Sequence, residues 1–357
     1  MAEYISFDSH KRYTLAEREN VTTGRTHQHR IAHQRGAIEA YLRLYEPGTA
    51  VAVEATGNWY WIIDEIEAAG DIPLLVNPHK AKAMMAMTNK TDKLDVHGLN
   101  RLQRNCTLPT VWIPPGELRD YRELTRTRMF VSHGGTRLKN RIHATLLKFG
   151  LQPPELSDLY VGKGRQWIDS NLIHLPSQAR WCTELLLEQL HVIRSHLALY
   201  EQRIRQLVKQ TPEMTLLKTI PGIGDILTSA IYLEIGQIGR FPTAQNYCSY
   251  SGTTPRVHSS GGRTRFGSLR PDVNHFLQWA YIEAANAVCL NQKNWSDRHA
   301  VHLYQKVRAR RNHCKAIGAV ARHLAESSFY VLTRGVPYRD PALATRSSQG
   351  GVSAVPS

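Results

Sequence analysis

Hydrophobic and polar residues alternate at the start of the chain. Residues 4–8, YISFD, are followed after a short polar turn by residues 12–16, RYTLA, which predicts a β-hairpin with Asp8 at a strand end. Residues 30–45 carry Ile31, Ile38, Leu42 and Tyr45 at helical spacing and predict a helix. The small β-branched run at 49–54, TAVAVE, comes just after Pro47-Gly48 and predicts a strand ending at Glu54, with Thr56-Gly57-Asn58 as turn and cap. A helix over Trp59 to Ala69 then leads to a third apolar run, IPLLV at 72–76, stopped by Asn77-Pro78. Hairpin, helix, strand, helix, strand is an α/β alternation whose strand ends line one rim.

The pattern then turns helical. In TDKLDVHGLNRLQRN, Leu94, Leu99 and Leu102 give a partly amphipathic helix with Thr91 or Asp92 as its cap. The spacing of three puts Asp92 and Asp95 on one face. Longer amphipathic stretches cover 119–148 and 178–209 and predict a helical, coiled-coil-like middle region. Residues 219–235, TIPGIGDILTSAIYLEI, place a Gly-Ile-Gly turn between two helical stretches, as in a helix-hairpin-helix. Residues 251–270, SGTTPRVHSSGGRTRFGSLR, have few aliphatic residues and predict an exposed loop or short hairpin between helices. The tail from 338 is rich in Ser, Gly, Ala and Pro, and disorder is expected there.

At 357 residues the chain is long enough for more than one core. Its formal net charge of +15 favours a polyanionic partner, nucleic acid before a membrane surface. There is no apolar run of spanning length and no apolar N-terminal signal, so no membrane association and a cytoplasmic location are expected. The five cysteines lack paired spacing, which argues against a disulfide or zinc framework, and read as buried or partly buried thiols.

Asp8, Glu54, Asp92 and Asp95 are the candidate chemistry. Taken singly, each has an ordinary explanation as a cap or a solvated acid. Together, strand-end acids and a helical acid pair suit a hard divalent cation such as Mg²⁺, which prefers carboxylate oxygens and neutralises their mutual repulsion. Basic residues cluster as well. Between 119 and 148, bases including Arg122, Arg126, Arg137, Lys139 and Arg141 far outnumber acids, which points to phosphate binding. At the Gly-Ile-Gly turn, Gly222 and Gly224 suit either a backbone contact to phosphate or close helix approach. Arg256, Arg263 and Arg265 surround Ser259 and Ser260, and on these residues alone the segment reads as a phosphate-contacting loop without chemistry.

The order Asp8, Glu54 in VEATGNW, then KTDKLD at 90–95 resembles the RuvC-like domain of the DEDD transposases, the one-ten insertion-sequence group with its eleven-eleven subgroup. IPGIGDILTSAIYLEIGQIGRF, YSGTTPRVHSSGG and NHFLQWAYIEAANAV extend the resemblance into the second half. The resemblance implies an RNase H-like (RuvC-like) α/β domain at 1–112, a basic helical region at 113–212, a mostly α transposase domain at 213–337 and a tail at 338–357. It also implies a recombinase acting on donor and target DNA, with Mg²⁺ on the four acids and a serine nucleophile. Ser260, followed by Gly261, matches the serine position, and Ser259 is the second candidate. A structured guide noncoding RNA and a homodimer or homotetramer are implied partners. Pro271-Asp272-Val273-Asn274 and Leu277-Gln278 stand where many members carry basic residues. Two other readings compete: a metal-dependent junction nuclease that hydrolyses with water, and a non-catalytic RNA- or DNA-binding protein.

Overall fold

The computed structural model describes residues 3–85, 91–269 and 272–341. The chain forms two compact units, Met1–Gly116 and Glu117–Ser357.

In the first unit, β1 (Glu3–Ser9), β2 (Tyr13–Asn20) and β3 (Thr26–Ala32) form an antiparallel meander, followed by α1 (Ala37–Leu42), β4 (Ala50–Glu54), α2 (Trp59–Ala68), β5 (Ile72–Val76), α3 (Pro78–Met85) and α4 (Asp92–Arg104). The sheet order is β3-β2-β1-β4-β5, with β4 parallel to both β1 and β5. This mixed α/β sheet is consistent with an RNase H-like fold. Alternation along the strands assigns the two faces. Ile5, Phe7, Val51 and Val53 are buried against Ile38, Leu42, Ile62, Ile63 and Ile66 of α1 and α2. The intervening positions face α4, where Ala52 packs with Leu99 and Leu102, and Ser6 Oγ donates to the Val96 carbonyl at 2.9 Å. Asn100 and Gln103 complete the seam by donating to the carbonyls of Tyr4 and Ala50.

Ile31 lies on β3 and not on the helix expected over 30–45, and α1 begins only at Ala37. As an edge strand, β3 exposes every residue except Ile31, so it carries almost no apolar period to read.

The second unit contains α5 (Gly116–Lys148), α6 (Gly162–Asn171), α7 (Ser177–Leu207), α8 (Pro212–Leu217), α9 (Asp225–Ile235), α10 (Ala244–Tyr250), the hairpin β6 (Pro255–Ser260) and β7 (Arg263–Leu269), then α11 (His275–Leu290), α12 (His299–Arg310) and α13 (His313–Arg334). Helices α5 and α7 pack antiparallel. Ile142 and Leu146 share a core with Leu187 and Leu190, and a side chain on Gly135 would press against Ile193. The main core gathers α9 to α13 around Tyr247, Tyr281 and Tyr304. The region read from sequence as 113–212 thus belongs, from Glu117 on, to the same compact unit as the C-terminal helices.

Two expectations need correction. Cys106, Cys182 and Cys314 are exposed, whereas only Cys248 is fully buried. The first residues of the expected disordered tail are packed: Asp340 accepts from the His299 amide at the start of α12, and the Tyr338 amide donates to Thr219 Oγ1. The remainder of that tail, 342–357, lies outside the described residues. No described helix is long and apolar enough to cross a membrane.

Candidate active site

Strand pairing brings two of the acids together. Phe7 of β1 is in register with Val53 of β4, so the next residues, Asp8 and Glu54, end neighbouring parallel strands on the α4 face of the sheet. Helix α4 delivers the other two from above. Thr91 caps it by accepting from the Leu94 amide, which fixes Asp92 and Asp95 in the first turn.

His10, which the sequence reading did not single out, stands between these acids. Its Nε2 lies 3.2 Å from Asp8 Oδ2 and 3.2 Å from Asp92 Oδ2. Asp8, His10 and Asp92 can each offer one donor atom within 4.8 Å of the others. Glu54 and Asp95 are outside that tight triad, although the Asp95 charge still reaches Asp8. The Asp8 carboxyl is held above its ordinary range, first by burial and then by the charges of Asp95 and Asp92, while His10 opposes the shift. Tyr13 donates from its hydroxyl to Asp92 Oδ2 at 2.7 Å. Asn58 clamps the turn after β1, donating to Ser9 Oγ and to the His10 carbonyl. An alternation that puts Asp8 and His10 on one strand face was the available sequence signal.

The donor set fits a divalent cation. It combines carboxylate oxygens with the ring nitrogen of His10, a buried atom 3.2 Å from both Asp8 Oδ2 and Asp92 Oδ2, and a cation there would relieve the crowding of the acids.

The serine segment forms a tight hairpin in the second unit. Gly261 and Gly262, at φ 56° and 76°, make the two-residue turn between β6 and β7. Positive φ at both positions is the type I′ geometry that matches strand twist. Ser260 pairs with Arg263 and His258 with Arg265, so alternation puts Arg256, His258, Ser260, Arg263 and Arg265 on one face. Those five side chains are exposed. Ser259 points to the opposite face. At the base of the hairpin, Asn274 caps α11 and also donates to Glu234 Oε2 at 2.8 Å, and Gln278 donates to the Gly252 carbonyl.

The basic stretch on α5 divides into two groups. Arg122 and Arg126, expected to bind phosphate, are instead spent inside the protein. Arg122 is 4 % exposed and donates to the carbonyls of Leu233 and Glu234, and Arg126 grips the Glu234 carboxylate. Local charge counting missed this because the acidic partner comes from α9. Lys139 is shared with Asp158, at 3.3 Å. Arg137 and Arg141 are exposed.

Gly222 and Gly224 line a cavity of about 430 Å³ together with Lys218, Trp295 and Arg298. Gly222 has φ 82° and a Cβ there would collide with the Ala284 carbonyl, so close approach to α11 alone requires glycine.

An α/β sheet with acids at adjacent strand ends beneath an acid-bearing helix is consistent with an RNase H-like DEDD fold, and a helical unit with an arginine-rich hairpin follows it. Residues 5–150 match a transposase family model of the IS110 DEDD type, and residues 214–302 match the Transposase IS116/IS110/IS902 family. The chain belongs to this family of insertion-sequence transposases. A probable family 20 transposase of Pseudomonas aeruginosa is 24 % identical over 88 % of this chain and 93 % of its own length. The transposase for insertion sequence element IS1111A of Coxiella burnetii is 23 % identical over 81 % of this chain and 79 % of its own. A pilin gene-inverting protein of Moraxella lacunata is 29 % identical over 64 % of this chain and 65 % of its own. Membership makes the protein an enzyme that binds DNA and cleaves and transfers its strands, and it implies use of a divalent metal.

Proposed function

We propose that this transposase cuts and rejoins DNA through a serine-linked intermediate, with Asp8, Glu54, Asp92 and Asp95 holding Mg²⁺ and Ser260 as the nucleophile. The supporting observation is the placement of Asp8 and Asp92, remote in sequence, at equal distance from His10 Nε2. Bound divalent cations there supply Lewis-acid stabilisation of charge on the scissile phosphate. Asp8 and Glu54 fix the site to the sheet, and Asp92 and Asp95 close it from α4. Ser260 Oγ forms a bond to phosphorus as the bond to the sugar oxygen breaks, and the serine proton passes to that oxygen through solvent. Attack by a sugar hydroxyl of the second DNA end on the phosphoserine reverses the step and restores Ser260. Arg256, Arg263 and Arg265, on the serine face, neutralise the phosphate as charge develops.

Arg137, Lys139, Arg141 and the turn at Gly222 and Gly224 are assigned to nucleic-acid backbones. The helix-hairpin-helix reading of that turn is supported by the cavity beside it, to which Arg298 brings positive charge, Lys218 being paired with Asp225 at 2.6 Å. A structured guide RNA would leave sequence choice to base pairing and ask of the protein shape and charge, in keeping with the net charge of +15. Strand exchange between two duplexes calls for a homodimer or homotetramer.

Cleavage of labelled element-end DNA by Ser260→Ala and Asp95→Asn tests the reading. Both variants are expected to shift DNA on a gel and to release no cut strand. Unchanged products from Ser260→Ala would establish a junction nuclease using water. Full cleavage by Asp95→Asn would remove this acid from the chemistry.

A further inference from the structure

We propose that His10 is a nitrogen ligand of the cation site, which makes the site mixed in donor type and moves its preference from Mg²⁺ towards Mn²⁺. The inference rests on the reading that the acids hold a divalent cation.

The distances carry it. Adjacent donors around an octahedral cation with bonds of about 2.1 Å lie about 3 Å apart, and opposite donors about 4.2 Å. His10 Nε2 is 3.2 Å from Asp8 Oδ2 and 3.2 Å from Asp92 Oδ2, and all three donor atoms fall within 4.8 Å of one another. A protonated imidazole serving only as counter-ion can aim its Nε2 hydrogen at one carboxylate. Here Nε2 is buried and stands equally far from both carboxylates. Equal approach of one ring nitrogen to two carboxylates, at the spacing of octahedral neighbours, is what three ligands of one ion show.

The ring is also held in place from outside. The His10 amide donates to the Tyr13 carbonyl at 2.9 Å, and its own carbonyl accepts from Asn58 Nδ2 at 2.9 Å. Thr56 Oγ1 donates to Asn58 Oδ1 at 2.8 Å, and the imidazole packs 4.7 Å from the Tyr13 ring. Tyr13 in turn orients Asp92 through its hydroxyl, at 2.7 Å. Such outer partners are how proteins fix first ligands. An imidazole is softer than a carboxylate or water and favours a first-row transition ion over Mg²⁺, and Mn²⁺ is a transition ion that also suits the oxygen donors of the acids.

The experiment uses the full-length protein with Mn²⁺ as the probe, read by pulsed electron paramagnetic resonance and by titration. Wild type is expected to show ¹⁴N coupling to bound Mn²⁺. His10→Ala should lose that coupling and at least about tenfold in Mn²⁺ affinity, the scale on which even outer partners act, with Mg²⁺ affinity changed less than about threefold. Asp8→Asn provides the control that identifies the ion bound at this centre. Mn²⁺ bound in an Asp8-dependent manner without nitrogen coupling, or with coupling that survives His10→Ala, would overturn the His10 assignment and leave the acid site standing. Failure of wild type to bind Mn²⁺ or Mg²⁺ in an Asp8-dependent manner would remove both.

Discussion

Arg126 holds Glu234 at two points, Nε to Oε1 at 2.6 Å and Nη2 to Oε2 at 2.9 Å. Glu234 is 1 % exposed, and the same carboxylate accepts from Asn274 at the foot of the serine hairpin. One buried acid therefore ties α5, α9 and the start of α11. Glu234→Ala would leave Arg122 and Arg126 without their charge partner, and loss of one member of a buried pair costs about 3–5 kcal/mol. Urea denaturation should show a loss on that scale. Arg137→Ala, on the exposed side of α5, should change stability by less than about 0.5 kcal/mol.

Binding to DNA should separate the bases of α5 in the opposite sense. Each phosphate contact contributes about 0.9 to the slope of log affinity against log salt on duplex DNA. Replacing Arg137 and Arg141 together by Ala should reduce that slope by up to about 2, measured by fluorescence anisotropy across a salt series. An unchanged slope would show that this face of α5 carries no phosphate.

Much of the first unit was legible because its strands are buried on one or both faces and stop at punctuation. IPLLV coincides with β5, and TAVAVE gives β4 to within a residue, ending at Glu54. The edge strand β3 was not legible, since five of its seven residues, Thr26 to Arg30, are polar and exposed. The roles of Arg122 and Arg126 were illegible for a different reason: their partner Glu234 lies more than a hundred residues away. His10 fell between these cases. Its period-two relation to Asp8 was visible in FDSHK, but only the approach of α4 brings Asp92 to its other side.

The hairpin turn offers a test that leaves the serine itself intact. Gly261 and Gly262 both sit at positive φ, which disfavours an L side chain by about 1–2 kcal/mol. Gly262→Val should abolish strand cleavage with little change in the melting temperature, because the hairpin is exposed. Gly261→Asn should retain cleavage, since asparagine is accepted at the first position of a type I′ turn. Equal activity of the two variants would contradict a requirement for this turn.

Acid stability should respond to His323. Burial, and then the neighbouring His299, hold its imidazole below the ordinary value of 6.5, with Glu326 and Asp340 pulling the other way. The unfolded chain takes up a proton as pH falls through about 6.5 while the folded protein resists it. This contribution to stability is present above pH 6.5 and is lost as pH falls towards the folded value, by at most about 1.4 kcal/mol per pH unit. Melting curves at pH 7.5 and 5.5 should show a smaller acid-induced drop for His323→Gln than for wild type.

The most direct measurement is to trap protein joined to a labelled DNA end and to map the joined residue by mass spectrometry, with divalent cation present or chelated. A phosphodiester adduct is expected on Ser260, dependent on the cation and absent from Ser260→Ala and Asp8→Asn. Cut DNA with free ends and no adduct, at wild-type rate in Ser260→Ala, would contradict it.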